Sequence, residues 1–239
     1  MAIHIMELKG KIANVVFYQR NGKNYARSRP KKYKRTAAMK LRSRNFGIAA
    51  STAKLFRRQL SDCIPFPANR SMQSRFVGAF AKWIGKRDIT DVMPENDIIS
   101  LYDFQFNERC RLMNRWKTHL TVLNTGNGLM QMQIPAFIPV EAMTAPPDTL
   151  FVKIWVAAVA VNPASAVPVS YFSTHLEIPY SGTETGPYLI DMPVQTDPGM
   201  LVLTAAALQF RVSKKGNVNT MLSDDPAYLP AAVVEARYF

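Results

Sequence analysis

Leu150-Phe-Val-Lys-Ile-Trp-Val-Ala-Ala-Val-Ala-Val161 is the most apolar stretch of the chain, and the fold class turns on whether it is read as a membrane span or a strand. It is too short to cross a bilayer as a helix, which takes about 20 residues, and Lys153 interrupts it. It reads as a strand, rich in the β-branched and aromatic side chains that fit a pleated surface. The same composition extends around it. Val, Ile, Thr, Phe and Tyr are abundant beyond residue 100, and 16 Pro against 11 Gly favour short strands joined by Pro-containing loops.

From about residue 99 the hydrophobic period is two. In Leu101-Tyr-Asp-Phe-Gln-Phe-Asn107, Tyr102, Phe104 and Phe106 alternate with Asp103, Gln105 and Asn107, the pattern of a half-buried strand. Further strands are expected at roughly 110–123, 129–134, 150–161, 169–178, 187–194, 200–213 and 231–238. Asn124-Thr-Gly-Asn-Gly128 and Lys214-Lys-Gly-Asn217 supply turns between them. This number of strands points to an antiparallel β-sandwich with its strand order left open.

Ahead of residue 99 the period is helical. Thr36 is placed to cap a helix running to about Asp62, with Met39, Phe46, Ala49, Ala50, Ala53, Phe56 and Leu60 on one apolar stripe. Lys40, Arg44, Gly47, Ser51, Lys54 and Arg58 line the opposite face. Ile64-Pro-Phe-Pro67 stops this helix. Asn69 or Ser71 can cap a second one through about Gly85, which turns Met72, Phe76, Phe80 and Trp83 to the core. The expected fold is therefore α+β: an N-terminal β-hairpin and two helices over 1–98, then a β-sandwich over 99–239.

The hairpin is the strongest local signal. Asn21-Gly22 lies between the β-prone runs Lys11–Arg20 and Lys23–Arg29, and both turn positions of such a hairpin require positive φ. A two-residue turn sets Arg20 opposite Lys23, Tyr18 opposite Tyr25, Val16 opposite Arg27 and Asn14 opposite Arg29, all on one side of the ribbon. Ala13, Val15, Phe17 and Ala26 fall on the other side. Arg29-Pro-Lys-Lys-Tyr-Lys-Arg35 then forms an extended basic linker, because Pro30 cannot continue a central strand.

Charge follows the same division. Sixteen Lys and Arg against the single acid Glu7 leave residues 1–60 at +15, while the fourteen bases and sixteen acids of residues 61–239 come to −2. A basic arm on a near-neutral domain speaks to the partner rather than to the fold.

The order Gly10-Lys-Ile-Ala-Asn-Val-Val-Phe-Tyr, Asn21-Gly-Lys, Arg27-Ser-Arg-Pro-Lys and Arg42-Ser-Arg-Asn-Phe-Gly-Ile-Ala-Ala resembles the N-terminal signature of a family of small uncharacterised proteins from Bacteroidota. Ile134-Pro-Ala-Phe-Ile-Pro and Val156-Ala-Ala-Val-Ala-Val resemble its β-rich C-terminal part. The resemblance implies this architecture and carries no activity to transfer.

No catalytic pattern stands out. His4, His119 and His175 lie in no recognisable motif, Gly-rich phosphate loops are missing, and Asp224-Asp-Pro226 reads as turn chemistry. Cys63 and Cys110 are too few for a disulfide framework or a zinc site and are expected as buried free thiols. No cofactor is expected. The N-terminus lacks the charged leader and apolar run of a signal peptide, so a cytoplasmic protein without membrane insertion is expected.

The expected binding residues are Tyr18, Arg20, Lys23, Tyr25, Arg27, Arg29, Lys31, Lys32, Lys34, Arg35, Lys40, Arg44, Lys54 and Arg58. The cations can neutralise phosphates, and the tyrosines can stack on bases. Nucleic acid, bound through its backbone with little sequence preference, is the first reading. The alternative is an assembly arm docking on an acidic surface of a neighbouring subunit, as in a homo-oligomer. Contact with anionic lipid ranks below both, because the helix lacks a bulky exposed apolar face.

Overall fold

Gly22 takes φ +74°, the left-handed region that its missing Cβ allows, and the strands on either side of it pair in the register expected from the sequence. Arg20 faces Lys23, Tyr18 faces Tyr25 and Val16 faces Arg27. The Arg29 amide donates to the Asn14 carbonyl at 2.6 Å, closing the base of the ribbon. This computed structural model describes residues 10–20, 22–29, 34–65, 69–85, 95–126, 129–165, 167–213 and 220–239. The chain divides into two compact units, residues 1–40 and 41–239.

In the first unit the sheet has three strands, in the order β1 (Gly10–Ile12), β2 (Val15–Arg20) and β3 (Lys23–Ser28). The run Lys11–Arg20 is thus not a single strand. It turns at Ala13 and Asn14, with Ala13 at φ +46°, and folds back so that Lys11 pairs with Val16 and Ile12 with Val15.

Helix α1 spans Ala37–Gln59 and ends in a 3₁₀ turn over Leu60–Asp62. Thr36 caps it as expected: its Oγ1 accepts from the Met39 amide at 3.3 Å, and its carbonyl accepts from Lys40 at 3.0 Å. The buried stripe is Asn45, Ala49, Thr52, Ala53 and Phe56, continued by Leu60. Met39 and Phe46, expected in that stripe, are 39 % and 59 % exposed. The period correctly identified one face, but the core covers only its later turns. Asn45 holds a polar place there by donating its Nδ2 to the Gly85 carbonyl at 3.2 Å. Helix α2, Arg70–Ile84, is capped by Asn69, whose side chain accepts from the Met72 amide at 2.8 Å. It buries Met72, Phe76, Phe80 and Trp83 as expected.

The strands of the second unit are β4 (Thr121–Gly126), β5 (Leu129–Ile134), β6 (Thr149–Asn162), β7 (Val167–Pro179), β8 (Tyr188–Pro193), β9 (Leu201–Ser213), β10 (Thr220–Leu222) and β11 (Ala231–Tyr238). Two single-turn helices, α3 (Leu112–Arg115) and α4 (Pro139–Ala142), sit in the connections. A five-stranded antiparallel sheet runs β10-β9-β6-β7, with β11 also on β9, and a second sheet runs β4-β5-β8. Val152, Ile154, Val156 and Ala158 of β6 share a core with Met130, Met132 and Met192 of the smaller sheet, which makes a sandwich. Ala157, Val159 and Val161, on the opposite face of β6, pack beneath α1 and α2. Within the 150–161 run, Val156–Val161 are buried and apolar on both faces because both are covered there, whereas Leu150 and Phe151 at its start are exposed.

The face toward the helices is lined by small residues, Ala157, Ala205, Ala207, Ala231 and Ala236. They leave depth for Phe56, Phe76, Phe80 and Trp83, whose rings pack edge to face or stacked, as in Phe56–Phe80 with centroids 5.5 Å apart. The change of period near residue 99 therefore separates helical from strand segments inside one packed unit.

Two strand expectations fail. Residues 101–107 form no strand: Asp103 takes φ +56°, and Phe104, Gln105, Phe106 and Asn107 are all buried. The segment bonds to β11 through Asp103–Val233, Phe104–Val233 and Phe106–Ala231 backbone pairs, but the left-handed residue breaks the alternation. Arg75 of α2 clamps it, donating to the Gln105 carbonyl at 2.9 Å and pairing with Glu108 at 2.9 Å. Of 110–123, only the part from Thr121 is strand, because Leu112–Arg115 turns as α3. The turn expected at 214–217 lies outside the described residues.

Candidate nucleic-acid interface

Opposed residues of an antiparallel pair share a face, and faces alternate along each strand. The register therefore puts Lys11, Val16 and Arg27, then Tyr18 and Tyr25, then Arg20 and Lys23 on one side of the N-terminal sheet. Phe17, Ala26, Gln19 and Asn24 lie on the other. Tyr18 and Tyr25 stack with centroids 5.5 Å apart and planes 19° apart, and remain 40 % and 43 % exposed. The Arg27 guanidinium lies 5.7 Å from the Tyr18 ring centroid. Arg20, Lys23, Arg27 and Arg29 are all exposed.

No Asp or Glu occurs between Glu7 and Asp62, so among the described residues the N-terminal sheet contains no acid. Arg20 and Lys23 are directly opposed like charges, mildly destabilising on their own and relieved by an anion. Lys11 joins this face only because β1 folds back, and sequence reasoning missed it. The signal available was Asn14 as a turn former; Ala13, which takes the positive φ, carries no such mark.

The remaining expected residues are placed by the helix and its approach. Lys34 and Arg35 are exposed just before Thr36, and Lys40 is exposed in the first turn of α1 within residues 1–40. Arg44, Lys54 and Arg58 are exposed along the solvent face of α1 in residues 41–239. Ser51, between them, turns its hydroxyl back to the Gly47 and Ile48 carbonyls at 3.1 and 2.9 Å. Lys31 and Lys32 lie outside the described residues. The structure thus brings together Tyr18, Tyr25, Arg20, Lys23 and Arg27 on one face, with Arg29 at its base, and sets Arg44, Lys54 and Arg58 on a separate unit.

In the second unit, a cleft of about 90 Å³ is lined by Tyr102, Asp103, Trp116, His119 and Val233 among others. Its Asp103 carboxylate already accepts from Gln105 Nε2 at 2.6 Å, and His119 Nδ1 lies 3.1 Å from the Leu120 carbonyl. His175 packs on Trp155, with ring centroids 4.8 Å apart. Cys63 and Cys110 are buried and free, and burial pushes the Cys63 thiol up to about 12. Among the described residues, no cluster of three or more His, Cys, Asp and Glu could hold a metal, and no helix is long and apolar enough to cross a membrane. No protein-family model, curated protein or solved structure matches this chain.

Proposed function

We propose that the N-terminal sheet is a nucleic-acid-binding arm that engages the phosphate backbone with little sequence preference. The observation that supports the reading is the exposed Tyr18–Tyr25 stack set within a cationic face that has no acid among the described residues. Cations give affinity through counterion release, and ring faces add contacts that every base satisfies. The sequence of the arm carries no recognised base-reading motif.

The test is a filter-binding titration at several salt concentrations with the intact chain and with a variant carrying Arg20→Ala, Lys23→Ala, Arg27→Ala and Arg29→Ala. The variant should bind more weakly, with a log K against log salt slope shallower by about 3, at roughly 0.7 per phosphate contact on a single strand. Equal affinity and slope would refute the reading.

A further inference from the structure

Resting on that reading, we infer that the arm selects single-stranded nucleic acid over duplex. In a duplex, base faces are covered by their neighbours, and only edges and phosphates are offered. An exposed, paired aromatic surface finds its counterpart in unstacked bases. Tyr18 and Tyr25 form that surface, and cations lie on both sides of it along the strands: Arg20 and Lys23 toward the turn, Lys11 and Arg27 toward the base. A strand laid across the rings meets positive charge before and after them.

The third strand points the same way. β1 pairs with Val15–Phe17, so over those residues the described sheet is three strands wide, broader than the two-stranded ribbon that a major groove admits.

The experiment is fluorescence anisotropy with the full chain at fixed salt. The probes are a mixed-sequence DNA single strand of about 15 nucleotides, its duplex and an abasic strand of equal length, with an RNA strand of the same sequence as a further arm. Both single strands should bind about tenfold or more tighter than the duplex and the abasic strand. Tyr18→Val with Tyr25→Val, which keeps strand propensity, should bring the single strand down to the abasic level and leave the duplex unchanged. Tyr18→Phe with Tyr25→Phe, which keeps both ring faces, should retain the preference. Duplex binding as tight as the single strand, abasic binding equal to it, or loss of preference in the Phe variant overturns this inference and leaves the phosphate-binding reading standing. Failure of every probe to bind overturns both.

Discussion

The Cys63 thiol donates to the Leu60 carbonyl at 3.2 Å, and burial raises its pKa to about 12. It stays protonated in the folded chain while an unfolded chain ionises near 9, so its contribution is intact below that value and is lost as pH rises from about 9 to 12. Cys110, Tyr171 and Tyr238 are raised by burial as well and act in the same direction. Urea unfolding at pH 8 and 11 should therefore show falling stability, at no more than about 1.4 kcal/mol per pH unit from one such group, and Cys63→Ala should flatten the decline. At Asn69, removing the side chain frees the Met72 amide, and Asn69→Ala should cost about 1 kcal/mol in the same assay. Both caps, Thr36 and Asn69, were legible because Ser, Thr, Asn and Asp carry capping chemistry wherever they fall ahead of a helical period. Lys11 was not legible as part of the cationic face, since its place depends on Ala13 adopting φ +46°, which nothing in an alanine announces.

Among the elements, the hairpin was the most legible, because one Gly at positive φ sets the register and the register sets both faces. Gly22→Val forces a β-branched side chain into that conformation, so it should cost more than about 1 kcal/mol locally and weaken nucleic-acid binding together with amide exchange protection across β2 and β3. Helix α1 was legible in its period but not in the extent of its coverage. Phe46 shares a stripe with Ala53 by spacing, but only the later turns lie under α2 and the sheet. The segment 101–107 misled for a related reason. Alternating Tyr102, Phe104 and Phe106 look half-buried, whereas Gln105 and Asn107 are buried too. Gln105 accepts from the Leu112 amide at 3.0 Å, and Asn107 donates to the Pro226 and Leu229 carbonyls at 2.7 and 3.1 Å. Polar side chains with such partners defeat an apolar/polar count. On α2, Phe80 touches Phe56, Phe76 and Trp83, and Phe80→Ala should cost about 3–5 kcal/mol by denaturant unfolding.

At the scale of the whole molecule, residues 41–239 are three layers, helices on a five-stranded sheet on a three-stranded sheet, and residues 1–40 carry the exposed Tyr-Arg face. The sandwich was legible from strand count. The second covered face of its larger sheet was not, because an apolar run says that both faces are buried without saying by what. A chain beginning at Thr36 keeps its α1 cap and the whole of the second unit, and should unfold cooperatively. The most direct measurement compares that truncated chain with the intact one in a filter-binding titration of a single strand at low and physiological salt. Truncation should remove most of the affinity and most of its salt dependence. Equal affinity and equal salt slope in the two chains would contradict that expectation.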